Sequence, residues 1–250
     1  MEKELKEIFD KYEKSYQSFS EILKDKGGMH LRNQRLIWFN IRIRLAIDIE
    51  VSFKGEVSRT KAPNVGETYS LLVKLMESWN SFEILSKYAK EKDKDCFNEK
   101  YTFSSAPRFN LFLESVLKKA GCIPVLHYEL EILKKKYNDD KKFGEQFKKL
   151  LERFESEVES ETLKKCCLDL IKYFEGKKEK QAQSILGLAY ATRNMYYHDG
   201  EVAGKEMDYQ GRIFLLKSLI YCFQKHILLL ASYIITKEIN IKQCSYANLQ

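Results

Sequence analysis

From Tyr69 almost to the C-terminus, apolar residues recur at three- and four-residue steps. No other feature narrows the fold as much. Leu72, Leu75, Met76, Trp79, Phe82, Leu85 and Tyr88 follow one helix face. Phe143, Phe147, Leu150, Leu151, Phe154 and Val158 form a second stripe. Leu163, Cys167, Leu170, Ile171 and Phe174 form a third, after a break near Ser160. The residues that interrupt helices are scarce: 11 Gly and 3 Pro in 250 residues, where average usage gives about 30 together. That shortage argues against sandwiches, barrels and low-complexity chains. Neither GxxxxGK[ST] nor GxGxxG occurs, so a phosphate-cradling glycine loop is not expected.

The same reading sets the element order. Residues 2–26 read as a helix carrying Leu5, Ile8, Phe9, Tyr12, Tyr16, Phe19, Ile22 and Leu23, stopped by Gly27-Gly28. Residues 37–53 are ambiguous. Ile41, Ile43, Leu45, Ile47, Ile49, Val51 and Phe53 alternate as in a strand, yet Trp38, Ile41, Leu45 and Ile49 also line one helix face. Residues 54–66 read as a loop and a boundary. Ser105-Ala106-Pro107 and Pro124 each open a helix, where a missing N–H costs nothing. Two further helices are expected, from Gln181 to about Tyr197 and from Asp208 to about Lys237. The expectation is an all-α protein: an antiparallel helical bundle over 61–250 with an N-terminal helical appendage over 1–60, and an optional short strand or hairpin near 37–53.

Charge and cysteines bound the function classes. The 43 basic and 36 acidic residues leave a net charge of +7, which favours an anionic partner such as nucleic acid. Six cysteines occur without any CxxC, so zinc-ribbon spacing is absent. The vicinal Cys166-Cys167 pair is poorly shaped for a disulfide. His127 with Glu131, and Cys222 with His226, are i,i+4 pairs, each short of the three or four ligands zinc takes. No metal or other cofactor is expected. The chain starts charged and amphipathic, and its most apolar run, from Ile213 to Ile235, is broken by Lys217, Gln224, Lys225 and His226. The expectation is a soluble, reduced, cytoplasmic protein with no membrane partner.

One short segment stands apart. Arg193-Asn194-Met195-Tyr196-Tyr197-His198 places Arg, Asn and His in an R-N-x-x-x-H array near a helix end. With 9 Arg, 10 Asn and 4 His, random order gives this array only ~0.006 times in such a chain. The array and its place before a long apolar helix resemble the RNxxxH motif of the HEPN superfamily. Its members are helical bundles, many of them metal-independent ribonucleases of toxin–antitoxin, phage-defence and CRISPR-linked systems. Upstream, Trp79-Asn80-Ser81-Phe82-Glu83 resembles a W-x-x-F-E pattern seen in an early bundle helix of several HEPN groups. The resemblance spans about residues 67–237. It implies Arg193, His198 and Asn194 as catalytic residues, with Tyr197 and Glu83 in support. It further implies RNA as substrate, a homodimer with two facing motifs, and an antitoxin or other defence-system protein as a further partner. Where some family toxins carry a modifiable Tyr two residues after the His, this chain has Gly200; that route of control is not implied.

The side chains themselves suit the chemistry. RNA cleavage needs a 2′-OH deprotonated, a phosphate charge stabilised and a leaving oxygen protonated. Histidine exchanges protons near neutral pH, and arginine forks onto phosphate oxygens. Asn194 is i,i+4 from His198 and can orient its imidazole. Arg193 stands about 140° around an ideal helix from His198, so either the helix unwinds there or a second chain completes the site. The broad apolar surface of the last helix can serve the core, a neighbouring chain, or both. Two rival readings remain: a non-catalytic HEPN-like scaffold that binds RNA or protein, and a helical interaction domain carrying a chance motif.

Overall fold

The computed structural model describes residues 2–24, 33–51, 63–92, 114–199 and 206–247. Among them are nine helices and no strand: α1 (Glu2–Lys24), α2 (Gln34–Asp48), α3 (Pro63–Lys92), α4 (Glu114–Lys119), α5 (Ile123–Asp139), α6 (Lys141–Glu157), α7 (Glu161–Phe174), α8 (Ala182–Asp199) and α9 (Tyr209–Ala247). The protein is all-α, as the periodicity requires. The helix opening at Ser105-Ala106-Pro107 and the stop at Gly27-Gly28 lie outside the described residues.

The stripes read from the sequence are the buried faces. Leu72, Leu75, Trp79, Phe82, Leu85 and Tyr88 of α3 are fully enclosed. So are Phe147, Leu150, Leu151 and Phe154 of α6, and Cys167 of α7. Local chemistry ends the helices where the pattern breaks. Asp140 caps α6 by accepting from Phe143 N at 3.0 Å. Gly176 closes α7 at φ +73°, a left-handed turn that favours glycine, with Lys177 N donating to Lys172 O.

The strand or hairpin offered for 37–53 does not form over 34–48, which is α2. Its buried residues are Leu36, Phe39, Ile43 and Ala46, at helical steps of three and four. The alternating apolar run misled because it covers both sides of this helix. Even the helix face read from the sequence is the outer one: Trp38 (56%), Ile41 (57%) and Leu45 (42%) are exposed. Packing against its neighbours selects the Phe39 side: Phe39 meets Tyr12 of α1 at 5.8 Å, and Ala46 O accepts from Gln224 of α9.

Two groups of helices share the long α9. On one side are α1 and α3, with α2 on α3; on the other are α5 and α8, with α6 and α7 behind them. Residue pairings give the directions. Glu4 meets Lys225, while Lys14 to Ile22 line a groove with Thr236 and Ile239, so α1 runs parallel to α9. Glu67 meets Lys217 and Ser78 meets Gln224, so α3 does too. Tyr196 meets Tyr69 and Tyr190 meets Trp79, so α8 runs the opposite way. One hydrophobic cluster runs from Leu5 to Ile235 and takes in residues from both 1–60 and 61–250. The boundary read near residue 60 lies outside the described residues.

The apolar breadth of α9 is used inside this one chain. Leu215, Leu216, Leu219, Phe223, Ile227, Leu228, Leu230, Ala231 and Ile235 are all buried. Residues Tyr209–Asn240 pass for a membrane span by length and composition, but 78% of the most apolar stretch is covered by the protein's own helices.

Candidate functional site

The R-N-x-x-x-H segment lies where α8 leaves the core. From residue 184 to 192 every side chain of α8 is buried. Small residues allow this: a Cβ added to Gly187 would sit 2.7 Å from Cys166 Cβ and Sγ on α7. At Arg193 and Asn194 the helix becomes half-buried.

Arg193 reaches across to α3. Its guanidinium carbon lies 5.8 Å from the ring centroid of Trp79, within cation–π range. Its Nη1 donates to Asn194 Oδ1 at 3.0 Å. Trp79 is fully buried and stacks on Tyr190 (4.6 Å between centroids) and Phe223 (5.4 Å). The arginine thus caps a buried aromatic stack built from α3, α8 and α9. Trp79 Nε1 donates to Glu83 Oε1 at 2.8 Å, one turn along α3. Phe82 packs on both Trp79 (5.2 Å) and Phe223 (5.4 Å). The fold therefore brings the W-x-x-F-E segment against Arg193-Asn194, although more than a hundred residues separate them. Of the sequence-derived site residues, Arg193, Asn194 and Glu83 gather here around Trp79. The side chains of Tyr197 and His198 lie outside the described residues.

The expected contact with the His198 imidazole lies outside the described residues, while Asn194 itself bonds its neighbour. Its Oδ1 accepts from Arg193, so this oxygen holds the guanidinium. The backbone settles a second point: α8 runs as regular helix through Asp199. Position 198 accordingly stays about 140° around the helix from position 193, and no local unwinding brings the two together.

The rim of this end is aromatic and polar. Tyr196 of α8 packs edge-on against Tyr69 of α3, 6.0 Å between centroids. Tyr209 at the start of α9 donates to Glu67, and Lys217 Nζ also reaches Glu67 at 3.0 Å. The hydrogen bonds from Tyr209 and Lys217 hold the Glu67 carboxyl below its usual range, and the same contact with Glu67 raises the Tyr209 phenol.

A second polar cluster, outside any sequence motif, lies deeper along α9. Lys225 is fully buried, donates to the equally buried Glu129 of α5 at 2.7 Å, and also meets Glu4 of α1. Burial pulls the Lys225 pKa down, but the bonds to Glu129 and Glu4 outweigh it and the net shift is upward. The neighbouring His226 is fully buried beside Phe82 and Phe223, and desolvation drops its pKa to about 3. Cys122, Cys166 and Cys167 are buried thiols pushed up to about 12 by desolvation, far from a reactive thiolate. The sequence signal for this cluster is Lys225 itself, a lysine inside an apolar run, which by sequence is only an interruption.

Each of the two candidate ligand pairs has other surroundings than a metal. Glu131 bonds Lys180 at 3.0 Å, and Cys222 and His226 are core residues. Among the described residues no group of three or more His, Cys, Asp and Glu is placed to hold a metal ion. No known family model, curated protein or solved structure matches this chain.

Proposed function

We propose that this chain is a HEPN-like, metal-independent endoribonuclease of a bacterial or archaeal defence or toxin system, soluble in the cytoplasm and working as a symmetric dimer. One observation carries the reading. Arg193 and Asn194 sit where α8 emerges from the core, and Arg193 is positioned by the Trp79–Glu83 pair of α3. The two segments that resemble the family by sequence meet in space.

In this scheme an imidazole from His198 removes the proton of a 2′-OH. The oxygen attacks the adjacent phosphorus, the bond to the 5′-oxygen breaks, and a protonated imidazole supplies the proton to that leaving oxygen. The products are a 2′,3′-cyclic phosphate and a 5′-hydroxyl. Arg193 stabilises the charge that builds on the phosphate. The unbroken α8 favours a composite site, with Arg193 and His198 facing one phosphate from two chains across a two-fold axis. An antitoxin or other defence-system protein is the further partner this reading implies.

The test is incubation of the purified protein with end-labelled single-stranded RNA in EDTA. Cleavage to cyclic-phosphate ends is expected, with DNA left intact for want of a 2′-OH. Cleavage abolished by EDTA and restored by Mg²⁺ overturns the mechanism.

One observation favours a second reading, a non-catalytic scaffold. The Arg193 guanidinium is already engaged by Trp79 and Asn194, an arrangement that also suits a purely structural arginine. RNA or protein binding without any cleavage by the wild-type protein would decide for it.

A further inference from the structure

The end of the molecule that carries Arg193 also carries a basic cleft. Asp208, which accepts from Gly211 N at the start of α9, donates its own N–H to Gln146 of α6 and pairs with Lys142 at 2.8 Å. Phe143 of α6 packs edge-on against Phe214 of α9 at 5.6 Å. The turn between α5 and α6 therefore sits against the start of α9, which the same helix end shares with the exit of α8. In that turn lies an open cleft of about 740 Å³, with Lys135, Lys136, Lys141 and Lys142 around it and Phe214 on its wall.

The charges there are unequal. Four lysines line the cleft against two aspartates, Asp139 and Asp140. Asp140 is committed to capping α6 and to Lys136 at 2.8 Å. Lys136 Nζ lies 5.8 Å from the centroids of both Phe143 and Phe214, which sets a cation beside the aromatic wall. Lys141 is 92% exposed and only 3.9 Å from Glu145, a contact of little energetic weight.

We propose that this cleft holds the single-stranded RNA flanking the cleavage site, with its phosphodiesters on Lys135 and Lys141 and a base against Phe214. The inference rests on the ribonuclease reading for its choice of substrate. Lysines around an aromatic wall are the arrangement that tracks a single strand without reading its sequence. The shape also separates RNA from an anionic membrane: lipid contact calls for apolar side chains that protrude, and Phe214 is half-buried in a wall.

The test measures binding of a fluorescein-labelled 12-nucleotide RNA by anisotropy across salt concentrations. It compares Arg193→Ala protein, in which the RNA survives, with the same protein also carrying the double variant Lys135→Ala/Lys141→Ala. The double variant is expected to bind roughly tenfold more weakly at low salt. Its slope of log affinity against log salt is expected to be shallower by about 1.4, because each lysine that neutralises a phosphate of a single strand adds about 0.7 to the slope. Phe214→Leu is expected to weaken binding by a few-fold with the slope unchanged. Cleavage is assayed separately with Arg193 intact. RNA binding that depends on these lysines in a protein that never cleaves supports the cleft and rejects the nuclease. Cleavage by wild type, with unchanged affinity and slope in the double variant, overturns the cleft and leaves the nuclease standing. Absence of RNA binding, or lysine-dependent binding to phosphatidylserine vesicles alone, overturns the cleft as an RNA site.

Discussion

Arg193 and Lys225 are cations on neighbouring helices of one core, and the fold treats them in opposite ways. Arg193 is half-buried, spread over the edge of the Trp79 stack, and its Nη1 reaches the neighbouring Asn194 side chain. Lys225, two residues beyond Phe223 of the same stack, is sealed from solvent and matched to a buried carboxylate, Glu129. A buried charge is tolerable only with a partner and adds little net stability over an apolar core. A half-buried guanidinium held by a ring keeps its orientation and stays within reach of solvent. Enclosure with a dedicated counter-charge marks Lys225 as architecture. Restraint at the surface leaves Arg193 where the ribonuclease reading needs it, within reach of a ligand from outside.

The largest effects expected are catalytic. His198→Ala and Arg193→Ala should each lower RNA cleavage by ~10²–10⁴-fold. Arg193→Ala should cost only about 1 kcal/mol in folding, the worth of a partly exposed cation–π contact. Cleavage assays and urea unfolding on the same samples test this. If Arg193→Ala proves as destabilising as a change at Lys225, the arginine is a second structural cation and the contrast collapses.

Next in size is Lys225→Met. It leaves Glu129 charged and enclosed, with a cost of about 3–5 kcal/mol expected in urea unfolding. Adding Glu129→Leu should recover most of that loss, because the orphaned charge goes with it. A cost below about 1 kcal/mol for the single variant would mean that Glu129 finds water or a proton.

This contrast also marks what can be read from the sequence. The stripes of α3, α6 and α7 are legible because each buries one face, so period and packing agree. Residues 37–53 are not, because α2 is apolar on both sides and only its packing on other helices decides which side is inner. At the site, Arg193 and Asn194 are legible as a rare array. The contact of Arg193 with Trp79 is not, since it joins residues more than a hundred positions apart. Local sequence cannot distinguish Lys225 from any lysine that breaks an apolar run. Its meaning lies in Glu129 and Glu4, on two other helices.

A smaller effect is expected from His226, which shares the enclosure of Lys225. Its pKa is held near 3 in the fold, against about 6.5 when unfolded. Between those values the unfolded chain binds a proton that the folded chain does not, so stability falls as pH drops below about 6.5. Between about pH 6.5 and 5, above the range where most carboxylates titrate, the loss should be roughly 1.5 kcal/mol. His226→Gln should flatten that part of the curve in pH-dependent urea unfolding. An unchanged slope would show that His226 already accepts a proton in the folded state.

The smallest effect should come from the open side of the buried pair. The Glu4 side chain is 38% exposed, and Lys225 keeps Glu129 when Glu4 is neutralised. Glu4→Gln also retains an oxygen that can accept from Lys225. The expected cost is at most about 1 kcal/mol, as for solvent-screened pairs. Helix α1 should stay docked, because Leu5, Ile8, Tyr12 and Phe19 are buried and each contributes about 1.5–3 kcal/mol of apolar transfer, apart from the entropy of ordering. Hydrogen exchange of the α1 amides reads this directly. Protection in α1 that survives Glu4→Gln but is lost in Phe19→Ala would assign the docking of this helix to its apolar face. Selective loss of α1 protection in Glu4→Gln would instead make the ion pair the clasp, and Lys225 would then hold α1 as firmly as it holds α5.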